Sequence, residues 1–329
     1  MDRLRRFVEK RVTTGPASIR TTDAELARLT PAALQAVRDG RAGYTLTRAR
    51  AFLRFQSRID SELLNHRVIS ANGYAAWFSH GEQNEAQLRA FVVQFSVFSN
   101  QFLVAQLNKV INADTLEGMR ASKEILANEL GVTFNKAGNA AVSRAGGYDP
   151  DHAGTEGSVQ GGLFHFEAGH FEWLWGIAKR IGLEFPQVGH RRNGTPATLR
   201  FSDELLRLYG GDNYEISQAA SFAVENWAAA GFWKQLIEGF RRYNEKRGTH
   251  LPIGFFVWHD RLEAQHARHT QEELEEYYFQ TPLAEDAFIR YGNEMLDGVA
   301  AFWDGLEEQR LALADAKSSL PSPRPGPIS

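Results

Sequence analysis

Apolar residues recur at spacings of three and four along most of this chain, and no stretch alternates as a convincing strand. That period is the signature of helices with one buried face. Thr30-Pro31 has the order of an N-cap followed by an N1 proline, and Gly40 stands where that helix would close. A long amphipathic stretch runs from about Tyr44 to Asn65. Another runs from about Asn84 to Ile111, with Leu88, Phe91, Phe95, Phe98 and Phe102 on one stripe. Asp114-Thr115-Leu116-Glu117 has capping-box spacing, and Gly131 ends the helix it opens. From Val132 to about Gly162 the chain is rich in Gly, Ala and Asn, which predicts a long irregular insertion. Helical pattern returns at about 163–181, 202–209, 214–246, 252–268 and 282–316. Thr270-Gln271-Glu272-Glu273 and Thr281-Pro282 are expected as fresh helix starts, and the Ser/Pro-rich segment 317–329 as a disordered tail. The organisation expected is all-α: accessory helices over 1–74, then a functional bundle over 75–316.

The composition is that of a globular protein, with 43% hydrophobic and 23% charged residues over 329 positions. A net charge of −3 gives no electrostatic case for nucleic acid or an anionic membrane. No apolar run approaches the ~20 residues of a bilayer span, and Met1-Asp2-Arg3-Leu4-Arg5-Arg6-Phe7 lacks the apolar core of a secretory signal. A cytoplasmic location is therefore expected. Cysteine is absent, which excludes thiolate nucleophiles, iron–sulfur clusters and Cys-ligated zinc. Any metal must be held by His and carboxylate, a set that suits iron or manganese and admits zinc.

The chemistry concentrates in four places. In Phe256-Val257-Trp258-His259-Asp260-Arg261-Leu262-Glu263-Ala264-Gln265-His266, the residues His259, Glu263 and His266 stand at i, i+4 and i+7. On a helix those positions share one face, so two imidazoles and a carboxylate can reach one metal; a solvated polar face is the plainer reading. Glu167 and His170 stand three apart among Phe164, Phe166, Phe171, Trp173 and Trp175, which predicts a buried same-face pair. Glu225 sits among Ala, Phe and Trp, where an unpaired carboxylate is very costly. Glu129 closes Ile125-Leu126-Ala127-Asn128-Glu129, where an exposed helix-end glutamate is the plain alternative. Together these fit the carboxylate-bridged dimetal pattern, in which two helices each give a Glu and two others each give Glu-x-x-His. Each lone glutamate precedes its Glu-x-x-His by the same 38 residues. His259 is a seventh potential donor.

At this point the chain resembles the haem-oxygenase-like dimetal (diiron) oxidases and oxygenases over about Trp77 to Tyr278. Four segments carry the likeness: Gln87-Leu88-Arg89-Ala90-Phe91-Val92-Val93-Gln94-Phe95; Leu126-Ala127-Asn128-Glu129-Leu130-Gly131; His170-Phe171-Glu172-Trp173-Leu174-Trp175 closing at Ile181-Gly182-Leu183; and His259-x-x-x-Glu263-x-x-His266. The resemblance implies a haem-oxygenase-like bundle with extra N-terminal helices. It implies metal ligands at His170, Glu225, His259, Glu263 and His266, with Glu129 or Glu167 or both. The cofactor implied is two Fe(II) ions, with Mn or mixed Fe/Mn as variants, and O₂ is the co-substrate. The partners implied are a small organic substrate and an external electron donor, and a homodimer is allowed. The family's reactions include N-oxygenation of amines, oxidative C–C cleavage and desaturation, and a small amine or amino-acid-like substrate is the expectation. Two departures stand out. The family usually has Asp where this chain has Glu263, and its early glutamate lies closer to the His than Glu129 does.

Other readings compete. A thiaminase-like hydrolase of this architecture needs a cysteine nucleophile, which the chain lacks. A haem oxygenase needs an early axial His, for which only His66 and His80 are available. A ferritin-like diiron N-oxygenase shares a similar ligand order. A non-catalytic helical binding protein would merely let the polar clusters satisfy one another. Phe166, Trp173, Phe222, Trp227 and Trp258 are candidates to wall the site.

Overall fold

The computed structural model describes residues 25–136, 155–159, 162–166 and 168–318. Helices dominate, as the three-and-four period predicts. They are α1 (Pro31–Arg38), α2 (Leu46–Arg58, continued by a π turn Ile59–Leu63), α3 (Arg67–Ser70), α4 (Gly73–Phe78), α5 (Glu85–Ile111) and α6 (Leu116–Glu129). After a small sheet come α7 (His170–Arg180), α8 (Pro196–Glu204, continued by a π turn Leu205–Tyr209), α9 (Tyr214–Ala228), α10 (Phe232–Arg247), α11 (Gly254–Gln280) and α12 (Glu285–Ser318). The expected Thr30 cap is in place, accepting from the Ala33 amide with Pro31 at N1. The box expected over Asp114–Glu117 is shifted by one residue, with Thr115 capping α6 through the Gly118 amide, and Asn84 and Gln87 form a reciprocal box that the sequence reading had not named.

The segment expected to be an irregular insertion carries strands. β1 (Val132–Lys136), β2 (Thr155–Val159) and β3 (Gly162–Phe166) form an antiparallel sheet in the order β1-β3-β2. β3 therefore occupies the start of what the sequence suggested as a helix over 163–181, and that helix begins only at His170. Three other boundaries differ. The helix expected over 214–246 breaks after Ala228, and Gly231 takes a left-handed φ of 92° before α10 starts. Thr270 opens no new helix, because α11 runs unbroken past it. The last helix starts at Glu285 rather than at Pro282 and reaches Ser318. The tail from 319 onward lies outside the described residues.

Packing divides the described residues into two units, one of 25–58 with 272–283 and the other of 59–271 with 284–318. The break falls at Arg58/Ile59, earlier than the 74/75 boundary read from the sequence. In the smaller unit Tyr44 stacks on Phe279 at 4.5 Å, and Arg48 donates to the carbonyls of Tyr278 and Thr281 at 2.8 and 2.7 Å.

In the larger unit α12 packs on α8 and α9, and α5 packs on α6, α7 and α12. Its core is a continuous run of rings. Phe91, Phe95, Phe240, Phe256 and Phe302 are all fully buried, and Phe91–Phe95 and Phe240–Phe256 lie 5.2 and 4.8 Å apart. Helix α4 meets α10 closely because residue 239 is glycine; a Cβ there would stand 2.2 Å from the Phe78 carbonyl oxygen. By length and composition α5 could cross a membrane, with mean hydropathy 1.3 over its most apolar window, an apolar run longer than the sequence reading allowed. Just over half of that window is buried inside the fold, however, and the helix's polar residues are used there. Gln94 bridges the Asn193 carbonyl and the Thr195 amide, and Gln106 donates to the Ser122 carbonyl at 2.7 Å. Such fixed buried bonds are what the core helix of a globular fold makes.

Candidate metal centre

Three helix ends deliver three donors to one point. Glu129 is the last residue of α6, and its side chain is only 13% exposed. The plain alternative of a solvated helix-end glutamate is thereby set aside. A carboxylate at a helix C-terminus meets the negative end of the helix dipole, so partial burial there calls for a compensating positive charge.

His170 is the first residue of α7 and is buried. The preceding Gly169 lets α7 start directly against the end of α6. A Cβ on residue 169 would stand 3.0 Å from the Glu129 carbonyl oxygen and 3.3 Å from the Leu130 carbonyl. Glu172 then accepts from the Gly169 amide at 3.3 Å and fixes the helix start. The result is an approach of 2.8 Å between His170 Nδ1 and Glu129 Oε2. Although that is ion-pair distance, the atoms are not aligned for a hydrogen bond, and Nδ1 has no hydrogen-bond partner. Two ligand atoms sit close without bonding to each other when both face a third centre.

His259 lies in the second turn of α11. Its Nδ1 lies 2.7 Å from the Phe255 carbonyl, which can only accept, so the proton belongs on Nδ1 and Nε2 carries the lone pair. The ring stacks on Trp233 at 4.7 Å and meets the His170 ring edge-on at 4.6 Å. One ligand atom each from Glu129, His170 and His259 lies within 4.8 Å of the others. A divalent ion bound at about 2.0–2.2 Å holds donor pairs within roughly 4.4 Å, so these three need to draw in by at most a few tenths of an ångström. Two histidines and one carboxylate with open positions are the ligand type of non-haem Fe(II) oxygenases. The residues present fit such an ion.

The fourth described donor is Glu225 on α9, 5% exposed, which lines the same pocket without joining the tight group of three. Glu263 and His266 lie on α11 beyond His259, so the continuous helix expected across 259–266 is present; their side chains lie outside the described set. Of the expected Glu167/His170 pair, His170 opens α7, and β3 ends at Phe166. Glu167 itself lies outside the described residues. Of the two early candidate histidines, His66 caps α3 and faces Asp297 at 3.2 Å, away from this centre.

Around the donors is a pocket of about 790 Å³, its open mouth included. Its wall is Phe98, Phe102, Phe201, Trp227, Trp233 and Phe255, with smaller aliphatic residues between them. Of the five aromatics the sequence offered for that role, Trp227 lines it, and the side chain of Phe166 lies outside the described set. Trp173 instead packs on the His170 ring at 5.3 Å, Trp258 packs on Trp173, and Phe222 packs on Phe288. Phe98 and Phe102 were visible as part of the α5 stripe, but periodicity does not separate a pocket wall from a core. Nothing in the sequence singled out Trp233.

Neither a protein-family model nor a curated protein matches the chain. Solved structures do. A domain of unknown function with a haem oxygenase-like fold from Shewanella denitrificans OS217 superimposes with a TM-score of 0.50 at 12% identity, covering 83% of this chain and 97% of that one. This chain has the haem-oxygenase-like fold. A TenA homolog from Pseudomonas syringae pv. tomato DC3000 agrees, with a TM-score of 0.51 at 10% identity over 79% of this chain and 93% of that one. Identities this low speak to the fold alone. They decide against the ferritin-like bundle that the ligand order also allowed.

Proposed function

We propose that this protein is an O₂-activating non-haem iron oxidase or oxygenase of the cytoplasm, acting on a small organic substrate. Glu129, His170 and His259 hold one ferrous ion. Glu225, with Glu263 and His266 from α11, holds a second. The observation that carries this reading is the convergence of three donors from three helices on one point, with the buried His170 Nδ1 beside a carboxylate and lacking a hydrogen bond.

When bound, the ferrous centre supplies electrons that reduce O₂ and the oxidising power for the substrate, and an external donor restores it. The chain's own residues do the rest. The Phe255 carbonyl fixes the His259 tautomer, and the Trp233 face fixes that ring's tilt. The aromatic wall keeps bulk water from the centre and holds an apolar substrate body against it. Glu225 places a second buried carboxylate at the same pocket, where it balances added cationic charge.

Chelator-treated protein loaded anaerobically with Fe(II) tests this reading through bound iron and O₂ uptake. About two irons per chain, with O₂ consumed in a single turnover, is the expected result. A protein that binds no iron and melts identically with and without chelator is the non-catalytic binding protein instead. A second enzymatic reading rests on the described donors being two histidines and one glutamate, a complete mononuclear set. One iron per chain, unaffected by His266→Ala, would select it.

A further inference from the structure

Two tryptophans outside the pocket wall connect the centre to the surface. Trp173 stands one turn after His170 on α7, with its ring 5.3 Å from the His170 ring. Trp258 directly precedes His259 on α11, and its ring meets that of Trp173 edge-on at 5.9 Å. These are the separations of rings in direct contact. Neither residue lines the pocket, so neither is placed to hold substrate. Trp258 is 39% exposed, so the row of rings runs from a buried metal donor to water. Trp233, at the other histidine, has no such outlet. It stacks on His259 at 4.7 Å, and among the described residues its other ring neighbours are Phe95, Phe232, Phe255 and Phe256. Phenylalanine holds its electrons too tightly to pass a charge on, whereas indole is among the readily oxidised groups of a protein. The chain has no cysteine, and among the described residues no tyrosine or methionine lines the pocket to compete for that role.

A centre that activates O₂ with no substrate in place must dispose of its oxidising power or damage its own wall, and excluding such side reactions falls to the protein. We infer that Trp173 and Trp258 are a relay that carries oxidising charge from the centre to the surface, where a small one-electron reductant from solution removes it. This relay depends on the iron reading above. In each round Trp173 gives one electron to the centre and becomes an indole radical cation. Trp258 gives one electron to Trp173 and restores it. The Trp258 radical sheds its ring N–H proton to water, then recovers an electron and a proton from the reductant, for which an enediol such as ascorbate has the chemistry. Net, the reductant loses one electron and one proton, and O₂ gains one of each on its way to water.

Oxidation products, rather than turnover, test the relay. Protein loaded anaerobically with Fe(II) is mixed with O₂ in the absence of substrate, with and without ascorbate, and iron content and O₂ uptake are measured in the same sample. Freeze-quenched electron paramagnetic resonance on protein carrying ring-deuterated tryptophan is expected to show an indole radical. Peptide mass spectrometry should find added oxygen mainly at Trp258, suppressed by ascorbate. Trp173→Phe keeps a ring in place but breaks the relay, so the Trp258 product should fall several-fold while products at Trp227 and Trp233 rise. Trp258→Phe should move the product to Trp173, where ascorbate protects less. Trp175→Phe, on the same helix but packed on Phe185, should change nothing. Melting curves confirm that the variants are folded, and either relay variant suffices. Iron binding and O₂ uptake with Trp173 and Trp258 left unoxidised, or a product pattern that Trp173→Phe does not move, overturns the relay and spares the iron reading. A protein that binds no iron overturns both.

Discussion

Replacing Gly169 with alanine isolates what brings the two chain segments of the centre together. The backbone there has φ −69° and ψ 167°, which alanine adopts without strain, so the substitution acts through contact alone. The new Cβ would stand 3.0 Å from the Glu129 carbonyl oxygen and 3.3 Å from the Leu130 carbonyl carbon and oxygen. All three are backbone atoms at the end of α6 and cannot rotate away. Crowding of this kind costs about 1–3 kcal/mol, against roughly 0.4–1 kcal/mol regained because alanine restricts the unfolded chain. The net loss of stability is therefore modest, of order 1 kcal/mol. The effect on the centre is larger in proportion. Relieving the contacts moves α7 from α6 by some tenths of an ångström, and His170 is the next residue. Metal donors tolerate only about 0.2 Å, and disturbances that reorient a ligand typically cost 10- to 100-fold in affinity. Competition between the protein and a calibrated chelator for Fe(II) or Zn(II) measures this. A 10- to 100-fold fall in affinity with a nearly unchanged melting temperature is expected. An alanine variant that binds metal as tightly as the parent would refute the idea that the close start of α7 sets the His170–Glu129 geometry.

Other substitutions divide the account into separate parts. His170→Ala and His259→Ala should each remove the iron held by the first set, and Glu225→Gln or His266→Ala the second, so inductively coupled plasma analysis should read about one iron per chain instead of two; full retention of iron in His259→Ala would refute its assignment. Trp233→Leu leaves a cavity costing roughly 2–4 kcal/mol and frees the His259 ring, so metal affinity should fall along with stability. Trp303→Leu, equally buried but off the pocket, serves as the control that loses stability only; equal affinity losses in the two would show a general packing effect. Gly239→Ala drives a Cβ to within 2.2 Å of the Phe78 carbonyl and should lower the melting temperature by about 3–10 °C, checked by calorimetry, while metal binding to the folded protein stays the same.

Much of this molecule can be read from its residues, and the misreadings have local causes. The period of three and four located the long helices through stripes such as Leu88, Phe91 and Phe95, although α5 buries every residue from Gln94 to Ser99 and is a core helix rather than a one-faced one. The same stripe could not show that Phe98 and Phe102 face a void, since a pocket wall and a core share one chemistry. Glu129 and His170 were legible as candidate donors but not as neighbours. The sequence grouped His170 with Glu167 through a helical spacing, yet Gly162-Leu163-Phe164-His165-Phe166 forms a strand and the helix waits for Gly169. The bounding glycines were the available signal, outweighed by the Glu-x-x-His spacing. Thr270 misled in the opposite direction. Its capping-box spacing is present, but α11 continues through it and the residue is buried, so tertiary packing overrides a local start signal.

Diffraction from crystals soaked anaerobically in Fe(II), recorded on either side of the iron absorption edge, tests the centre most directly. The account predicts an anomalous peak about 2.0–2.2 Å from His170 Nδ1, His259 Nε2 and a Glu129 oxygen, with a second peak near Glu225. A map with no peak between those three side chains, or with iron bound only elsewhere on the protein, would contradict it.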